Sequence, residues 1–204
     1  LELLPEGKSV PDRYSGGVLK EPEEQLKDLT VAEGYSLNLF ASETDFPELK
    51  NPVQITFDAR GRLWVVTMPS FPHTIPGEVP NDKILILEDT KHQGRADKCT
   101  VFAEGFDALD GVAFHEKGVI VSAQPRLLLL KDTDGDGMAD WGQKQVYDFH
   151  EEVTDVAGGV MKTEDALYVA AGPDMWRLMD TNGDGLMDEK KSLSHGYGIH
   201  IGFG

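Results

Sequence analysis

Two nine-residue stretches hold the side chains whose types and spacing are best suited to chemistry. In D-T-D-G-D-G-M-A-D, Asp132, Asp134, Asp136 and Asp140 occupy positions 1, 3, 5 and 9, with Gly137 at position 6. In D-T-N-G-D-G-L-M-D, Asp180, Asn182, Asp184 and Asp188 take the same places. Short oxygen-bearing side chains at alternate positions turn toward one centre, and glycine at position 6 permits the sharp bend that a calcium loop needs. Met138 and Leu186, at position 7, would add backbone carbonyls, so the spacing predicts two Ca²⁺ sites. Gln143 and Lys191 stand where a helix-loop-helix sensor carries its bidentate Glu, and no long amphipathic helices flank the loops, which excludes that class.

A third copy, D-T-K-H-Q-G-R-A-D, keeps Asp89, Gly94 and Asp97 but places Lys91 and Gln93 at positions 3 and 5, predicting the same turn without a metal. The competing reading is a set of ordinary Asp/Gly turns. Against it stands the Coulomb repulsion of three carboxylates held close together with no cation. Ligation possible only in the folded loop predicts calcium-dependent folding.

A second set of reactive groups is more scattered. His195 and His200 bracket a Gly/Tyr run, His150 precedes Glu151 and Glu152, and Arg126 follows a Pro turn. These four residues are the candidate catalytic groups, since an imidazole can move a proton near neutral pH. The competing reading makes them satisfied loop or channel-wall residues. No G-x-G-x-x-G fingerprint, P-loop, G-x-S-x-G elbow or H-E-x-x-H motif is present.

Composition narrows the classes further. Among 204 residues, 36 acidic side chains oppose 19 basic ones for a net charge of -17, which argues against nucleic-acid binding because phosphate contacts need clustered cations. Cys99 alone cannot form an intramolecular disulfide, and no apolar run reaches the roughly 18 residues of a membrane span. A first residue Leu1 and a terminal I-G-F-G directly after apolar residues suggest a piece of something longer.

The elements that position these groups are read from texture. Residues 1–30 mix Pro, Gly and charge, with a helical turn or two over Glu21 to Leu29, and read as a lead-in or linker. Residues 31–204 carry short apolar runs bounded by turn residues and read as strands, among them Tyr35 to Phe40, Val53 to Phe57, Leu63 to Thr67, Ile84 to Glu88, Gly118 to Ala123, Leu127 to Lys131, Gln145 to Phe149 and Ala166 to Ala171. Ala123, Pro125 and Asp132 fall in register with Ala171, Pro173 and Asp180, and the D-T pairs at 89, 132 and 180 lie 43 and 48 residues apart. A period in the forties with about four strands per repeat predicts an all-β fold of antiparallel β-propeller blades, about three of them present, where a closed disc takes six or more.

Strand order then sorts residues between two ends. The acidic loops join the third and fourth strands of a repeat. Arg126, His150, His195, His200, His73 and Asp155 fall on the opposite end, while His92 and His115 share the end of the loops.

The segments NPVQITFDARGRLWVVTMPSFPHTIPGEVPNDKILILEDT, KCTVFAEGF and LLLLKDTDGDGMAD resemble the N-terminal propeller of planctomycete-type membrane-bound dehydrogenases. That family consists of large secreted proteins related in fold to soluble PQQ-dependent (pyrroloquinoline quinone) sugar dehydrogenases, and the resemblance covers roughly residues 30–204. It implies an extracytoplasmic (periplasmic or secreted) oxidoreductase that acts on a sugar or other alcohol, with PQQ as cofactor and electrons passed to a cytochrome domain or other acceptor. It implies haem only in a downstream cytochrome domain, because the C-x-x-C-H motif is absent here. It also places the catalytic His beyond Gly204, so the chain alone is expected to be inactive. The alternative is a non-catalytic, calcium-stabilised propeller that binds glycan or a partner protein.

Overall fold

The computed structural model describes residues 20–70, 76–150 and 157–197, with backbone only at 141–143. Two compact units divide the chain after Phe40. In the first, α1 (Pro22–Gln25) starts on Pro22, whose fixed backbone suits a first helical turn, and runs into a 3₁₀ turn over Leu26–Asp28. Tyr35 to Phe40 is not a strand, contrary to expectation. Tyr35 and Leu37 are exposed and nothing pairs with their backbone as a ladder, so this apolar run has no face to bury.

The second unit consists of three four-stranded antiparallel sheets. Sheet 1 holds β1 (Pro52–Phe57), β2 (Leu63–Thr67), β3 (Asp82–Glu88) and β4 (Lys98–Phe106); sheet 2 holds β5 (Leu109–His115), β6 (Gly118–Ala123), β7 (Arg126–Lys131) and β8 (Asp140–Asp148). Sheet 3 holds β9 (Ala157–Lys162), β10 (Leu167–Ala171), β11 (Asp174–Met179) and β12 (Glu189–His195). In each sheet the strands pair in chain order, as the repeat predicts. β8 starts earlier than the sequence suggests, at Asp140 rather than at Gln145, because polar ladder residues do not register as an apolar run. Cys99 lies inside β4.

Two apolar clusters bind the sheets face to face. Trp64, Ile84, Ile86 and Phe102 of sheet 1 meet Val121 and Leu128 of sheet 2; Ile120, Leu129 and Val146 of sheet 2 meet Leu167, Val169 and Leu178 of sheet 3. Sheet 2 is thus covered on both faces, and this is why Leu127 to Leu130 is continuously apolar instead of alternating. Trp64 stands edge-on to Phe102 and Phe114, with centroids 4.7 and 5.3 Å away, and serves as a packing residue. In β12 (EKKSLSH), which has a sheet on one side alone, most residues are exposed.

Each fourth strand carries a bulge at the same place. Phe102 is the extra residue opposite Ile84 and Leu85, Val146 opposite Leu127 and Leu128, and Leu193 opposite Met175 and Trp176. Hydrogen bonds link the bulges to the acidic loops of the following sheet. The Ala139 N–H donates to the Phe102 carbonyl at 2.7 Å and the Met187 N–H to the Val146 carbonyl at 3.0 Å. Both donors sit at position 8 of their loops.

Candidate functional site

The β7–β8 loop folds its carboxylates toward one another. Oxygen atoms of Asp132, Asp134 and Asp136 lie within 4.8 Å of one another, all three residues being exposed. Backbone donors fix their orientation. Asp132 accepts from Gly135 N (2.7 Å) and Gly137 N (3.0 Å), Asp134 from Asp136 N (3.1 Å), and Asp136 from Met138 N (2.7 Å). A carboxylate has lone pairs for both a donor and a cation, so the donor set fits a hard cation.

Asp140 is engaged elsewhere. Its carboxylate accepts from both the N–H and the hydroxyl of Thr133, which closes position 9 onto position 2 and holds the Asp140 carboxyl below the usual range. The β11–β12 loop repeats this plan. Asp180 accepts from Gly183 N and Gly185 N at 2.7 Å each, Asn182 from Asp184 N at 2.9 Å and Asp184 from Leu186 N at 2.7 Å, while Asp188 clasps the Thr181 hydroxyl at 2.7 Å. Burial pushes the Asp180 carboxyl upward, yet the Gly185 and Gly183 donors and the Lys117 charge outweigh it and hold the group low. Sheet 2 supplies further positive charge, since Lys144 Nζ donates to the Asp184 carbonyl. A cleft of about 250 Å³ lies beside this contact, lined in part by His115, Lys117, Lys131 and Lys144. Burial, together with Lys162, lowers the His115 pKa.

The β3–β4 loop makes the same turn with other side chains. Thr90 donates its N–H (3.0 Å) and hydroxyl (2.9 Å) to Asp97, and Asp89 accepts from Gln93 N and Gly94 N at 3.0 and 2.7 Å. Position 4 is left-handed in all three loops, with φ of 54° at His92, 83° at Gly135 and 79° at Gly183. The Lys91 ammonium stands 3.2 Å from Asp97. This turn therefore forms with the position 2–9 clasp and without acidic residues at positions 3 and 5, as expected for the copy without a metal.

At the opposite end, the sequence reading missed the groups that matter. Among the described residues, the buried charged side chains are Asp82 and Asp174, both there. Asp82 accepts from Ser70 N at 3.3 Å, from the Ser70 hydroxyl and from Leu109 N at 3.1 Å, joining sheet 1 to the start of sheet 2. Asp110 is the bulged residue of β5; burial raises its pKa, against the Gln124 amide that donates to it and with help from the Asp82 charge. Lone Asp residues in polar turns give no sequence signal of burial, which tertiary packing alone creates.

Of the four candidate catalytic groups, His195 has a partner. Its Nδ1 lies 3.1 and 3.2 Å from the two carboxylate oxygens of Asp174, which also accepts from the Ser192 hydroxyl at 2.5 Å. The His195 side chain is 72% exposed. His150 follows β8 and is exposed, its N–H bound to Asp148 at 2.8 Å, and Arg126 opens β7, also exposed. Arg126 pairs with Asp148 of β8, two residues before His150, while His195 ends β12 in sheet 3. His200, His73, Glu151, Glu152 and Asp155 lie outside the described residues. A tricarboxylate quinone needs cations around it, and the buried carboxylates described at this end do not fit one. Cys99 is half-buried, its thiol pushed up to about 11 by burial and the nearby Glu48 charge. No described helix is long and apolar enough to cross a membrane.

Comparison with known proteins adds a family and a fold. A family model described as a domain of unknown function (DUF7133) matches residues 21–155. No curated protein matches the chain. A solved structure of a luciferin-regenerating enzyme, a β-propeller, superposes with a TM-score of 0.53 at 17% identity. The match covers 68% of this chain and 45% of that one, so the chain spans less than half the length of the propeller it resembles. At this identity the likeness concerns the fold.

Proposed function

The chain belongs to the DUF7133 family, a domain of unknown function, and on that premise we propose that it is part of an extracytoplasmic β-propeller whose third-to-fourth-strand loops bind calcium. The observation that carries this reading is the convergence of Asp132, Asp134 and Asp136 within 4.8 Å, each oriented by backbone donors. Three sheets of one plan and the likeness to a propeller support the architecture. Millimolar calcium outside the cell would keep such loops filled.

In this reading Asp132, Asp134, Asp136 and the Met138 carbonyl hold the first ion. Asp180, Asn182, Asp184 and the Leu186 carbonyl hold the second. Asp140 and Asp188 clasp the residue at position 2 and stand as further ligand candidates at position 9. The ions strengthen loops whose position-8 N–H groups bind the preceding sheet, so occupancy adds stability to the sheet contacts.

For the whole protein, the resemblance to quinoprotein dehydrogenases extends the proposal to oxidation of a sugar or alcohol with electrons leaving through a cytochrome. PQQ would supply the two-electron chemistry, held by residues other than those described at this end. Among the described residues, His195, beside Asp174, is one group suited to moving a proton. The buried carboxylates Asp82 and Asp174 favour the second reading, a non-catalytic module whose polar end binds a neutral or cationic partner.

Calcium titration by calorimetry tests the main reading, with quinone-dependent dye reduction assayed on the same sample. Two sites are expected, one lost in Asp132→Ala and the other in Asp180→Ala. Absence of calcium binding would refute it; binding without turnover would leave the binding module.

A further inference from the structure

Three positions at which sheet 2 departs from sheet 1 gather where sheet 2 meets sheet 3. Ile120 pairs with Leu129 as Trp64 pairs with Ile86, so the two ladders can be set side by side. Thr100, across from Ile86, becomes Lys144, across from Leu129. Glu88, two residues beyond Ile86, becomes Lys131, and Asp58, just after β1, becomes His115 at the end of β5. A Cβ placed on Gly137 would meet Thr100 Cγ2 at 3.5 Å, and one on Gly185 would meet Lys144 Nζ at 3.1 Å, so both residues stand at the same seam against the following loop.

Two negative charges thus give way to two positive ones and a histidine. In sheet 1 the negative charges are answered within the sheet, Asp58 by Arg62 at 2.7 Å and Glu88 by Lys98 at 2.6 Å. Sheet 2 has no matching answer. The Lys131 ammonium has no ion-pair partner among the described residues, and Asp140, opposite it in the ladder, is held by Thr133. Lys144 gives one N–H to the Asp184 carbonyl and keeps two. The Lys117 N–H donates to His115 Nδ1 at 3.1 Å, so the proton of the neutral ring sits on Nε2 and the imidazole has a donor to offer.

His115, Lys117, Lys131 and Lys144 border the cleft of about 250 Å³ already described. Its apolar lining is Ile120, Leu129, Val146 and Met187, where the corresponding place between sheets 1 and 2 has Trp64, Ile86 and Phe102 and about 200 Å³. Asp184 also lines the cleft, its carboxylate bound to Leu186 N at 2.7 Å. From this reversal of charge we infer that the cleft is a binding site for a small organic anion, with a carboxylate, sulfate or phosphate group among the lysines and the His115 N–H and its body against the aliphatic side chains. The inference needs the contact of sheets 2 and 3 and not calcium, so it stands apart from the loop reading. An aliphatic lining gives nothing to a bare inorganic ion, and the volume lies below the roughly 300 Å³ at which drug-sized pockets begin. A chain of net charge -17 repels anions in general, so one is retained only where cations gather.

Benzoate is the probe, with benzyl alcohol as its neutral counterpart and inorganic sulfate as an ion without a body. Two-dimensional amide NMR of the chain in calcium-free buffer follows each titration. Benzoate should shift the Lys117, Lys131, Lys144 and Gly185 signals saturably. Losing one exposed ion pair weakens binding by up to about fivefold, so Lys131→Met should bind benzoate about three- to fivefold more weakly and Lys131→Glu more than about tenfold. Lys98→Met, at an exposed lysine of sheet 1, should bind as the parent does. Lys131 is exposed, and unchanged signals elsewhere verify that its variants are folded. Shifts that rise linearly with benzoate, or spread equally to Lys27 and Lys98, overturn the inference. Equal affinity for benzyl alcohol or an unaltered affinity in Lys131→Glu overturns it too, and sulfate binding as tightly as benzoate overturns the organic class.

Discussion

Asp134→Asn is the substitution that separates an ion site from a decorated turn. The protein already contains its outcome, because Asn182 stands at the same position of the β11–β12 loop and accepts the same backbone hydrogen bond through its amide oxygen. The change therefore removes one charge and keeps the turn. With carboxylate oxygens within 4.8 Å, each like-charge pair in a water-like dielectric repels by about 1 kcal/mol, and Asp134 takes part in two such pairs. Salt at about 0.1 M screens this, leaving a net relief of about 1 kcal/mol without calcium. Such a change raises the melting temperature by about 2–4 °C in a domain of this size. With millimolar calcium the sign reverses. The variant loses a charged ligand, affinity falls about ten- to a hundredfold, and stability conferred by the ion falls with it. Thermal unfolding by tryptophan fluorescence, in EDTA and in calcium, reads both arms. A variant less stable than the parent in both buffers would refute the argument, since it would show that Asp134 serves the turn and not an ion.

Other expectations follow from single contacts. Removing the ammonium beside the second loop by Lys144→Met should raise calcium affinity at that site about fivefold by calorimetry; an unchanged affinity would mean that the lysine does not act on the ion. Gly118→Ala would set a Cβ 2.1 Å from the Leu130 carbonyl oxygen at a φ of +149°, so urea unfolding should show a loss of more than about 2 kcal/mol. The raised pKa of Asp110 means that its contribution is fully present below its unfolded value of about 4 and is lost as pH rises through the higher folded value. The stability of Asp110→Asn relative to the parent should therefore increase between pH 4 and pH 7. Carboxyls held low, such as Asp58 and Asp140, behave oppositely and lose their contribution as pH falls below about 4, equally in both proteins.

The sequence was most legible where physics is local. The D-T-x-x-x-G-x-x-D loops, their placement between third and fourth strands and the runs Leu63–Thr67 and Gly118–Ala123 all depend on near-neighbour geometry, and all appear as read. Tyr35 to Phe40 misled because an apolar run becomes a strand only with a partner ladder. The clasp made by Asp140 was hidden because position 9 is compatible with a ligand, a brace or both, and the Thr133 contacts show the brace. The buried Asp82 and Asp174 and the half-buried Asp110 were invisible because their environment is assembled from several sheets and connections. His195 was legible as a reactive type but not as a partner of Asp174, which lies 21 residues away in the chain and opposite it in the β11–β12 ladder.

The threonine-to-aspartate clasp shared by all three loops separates the scaffold from its cargo. Because the β3–β4 loop makes the same bend with Lys91 and Gln93, the side chains at positions 3 and 5 are exchangeable fittings on a frame set by the clasp. One repeat carries Asp and Asp there, another Asn and Asp, the third Lys and Gln, on one backbone shape. A lineage of such repeats can therefore gain, weaken or discard a cation by two substitutions on the solvent side, leaving the buried mortar between sheets unaltered, so that ion dependence evolves independently of architecture.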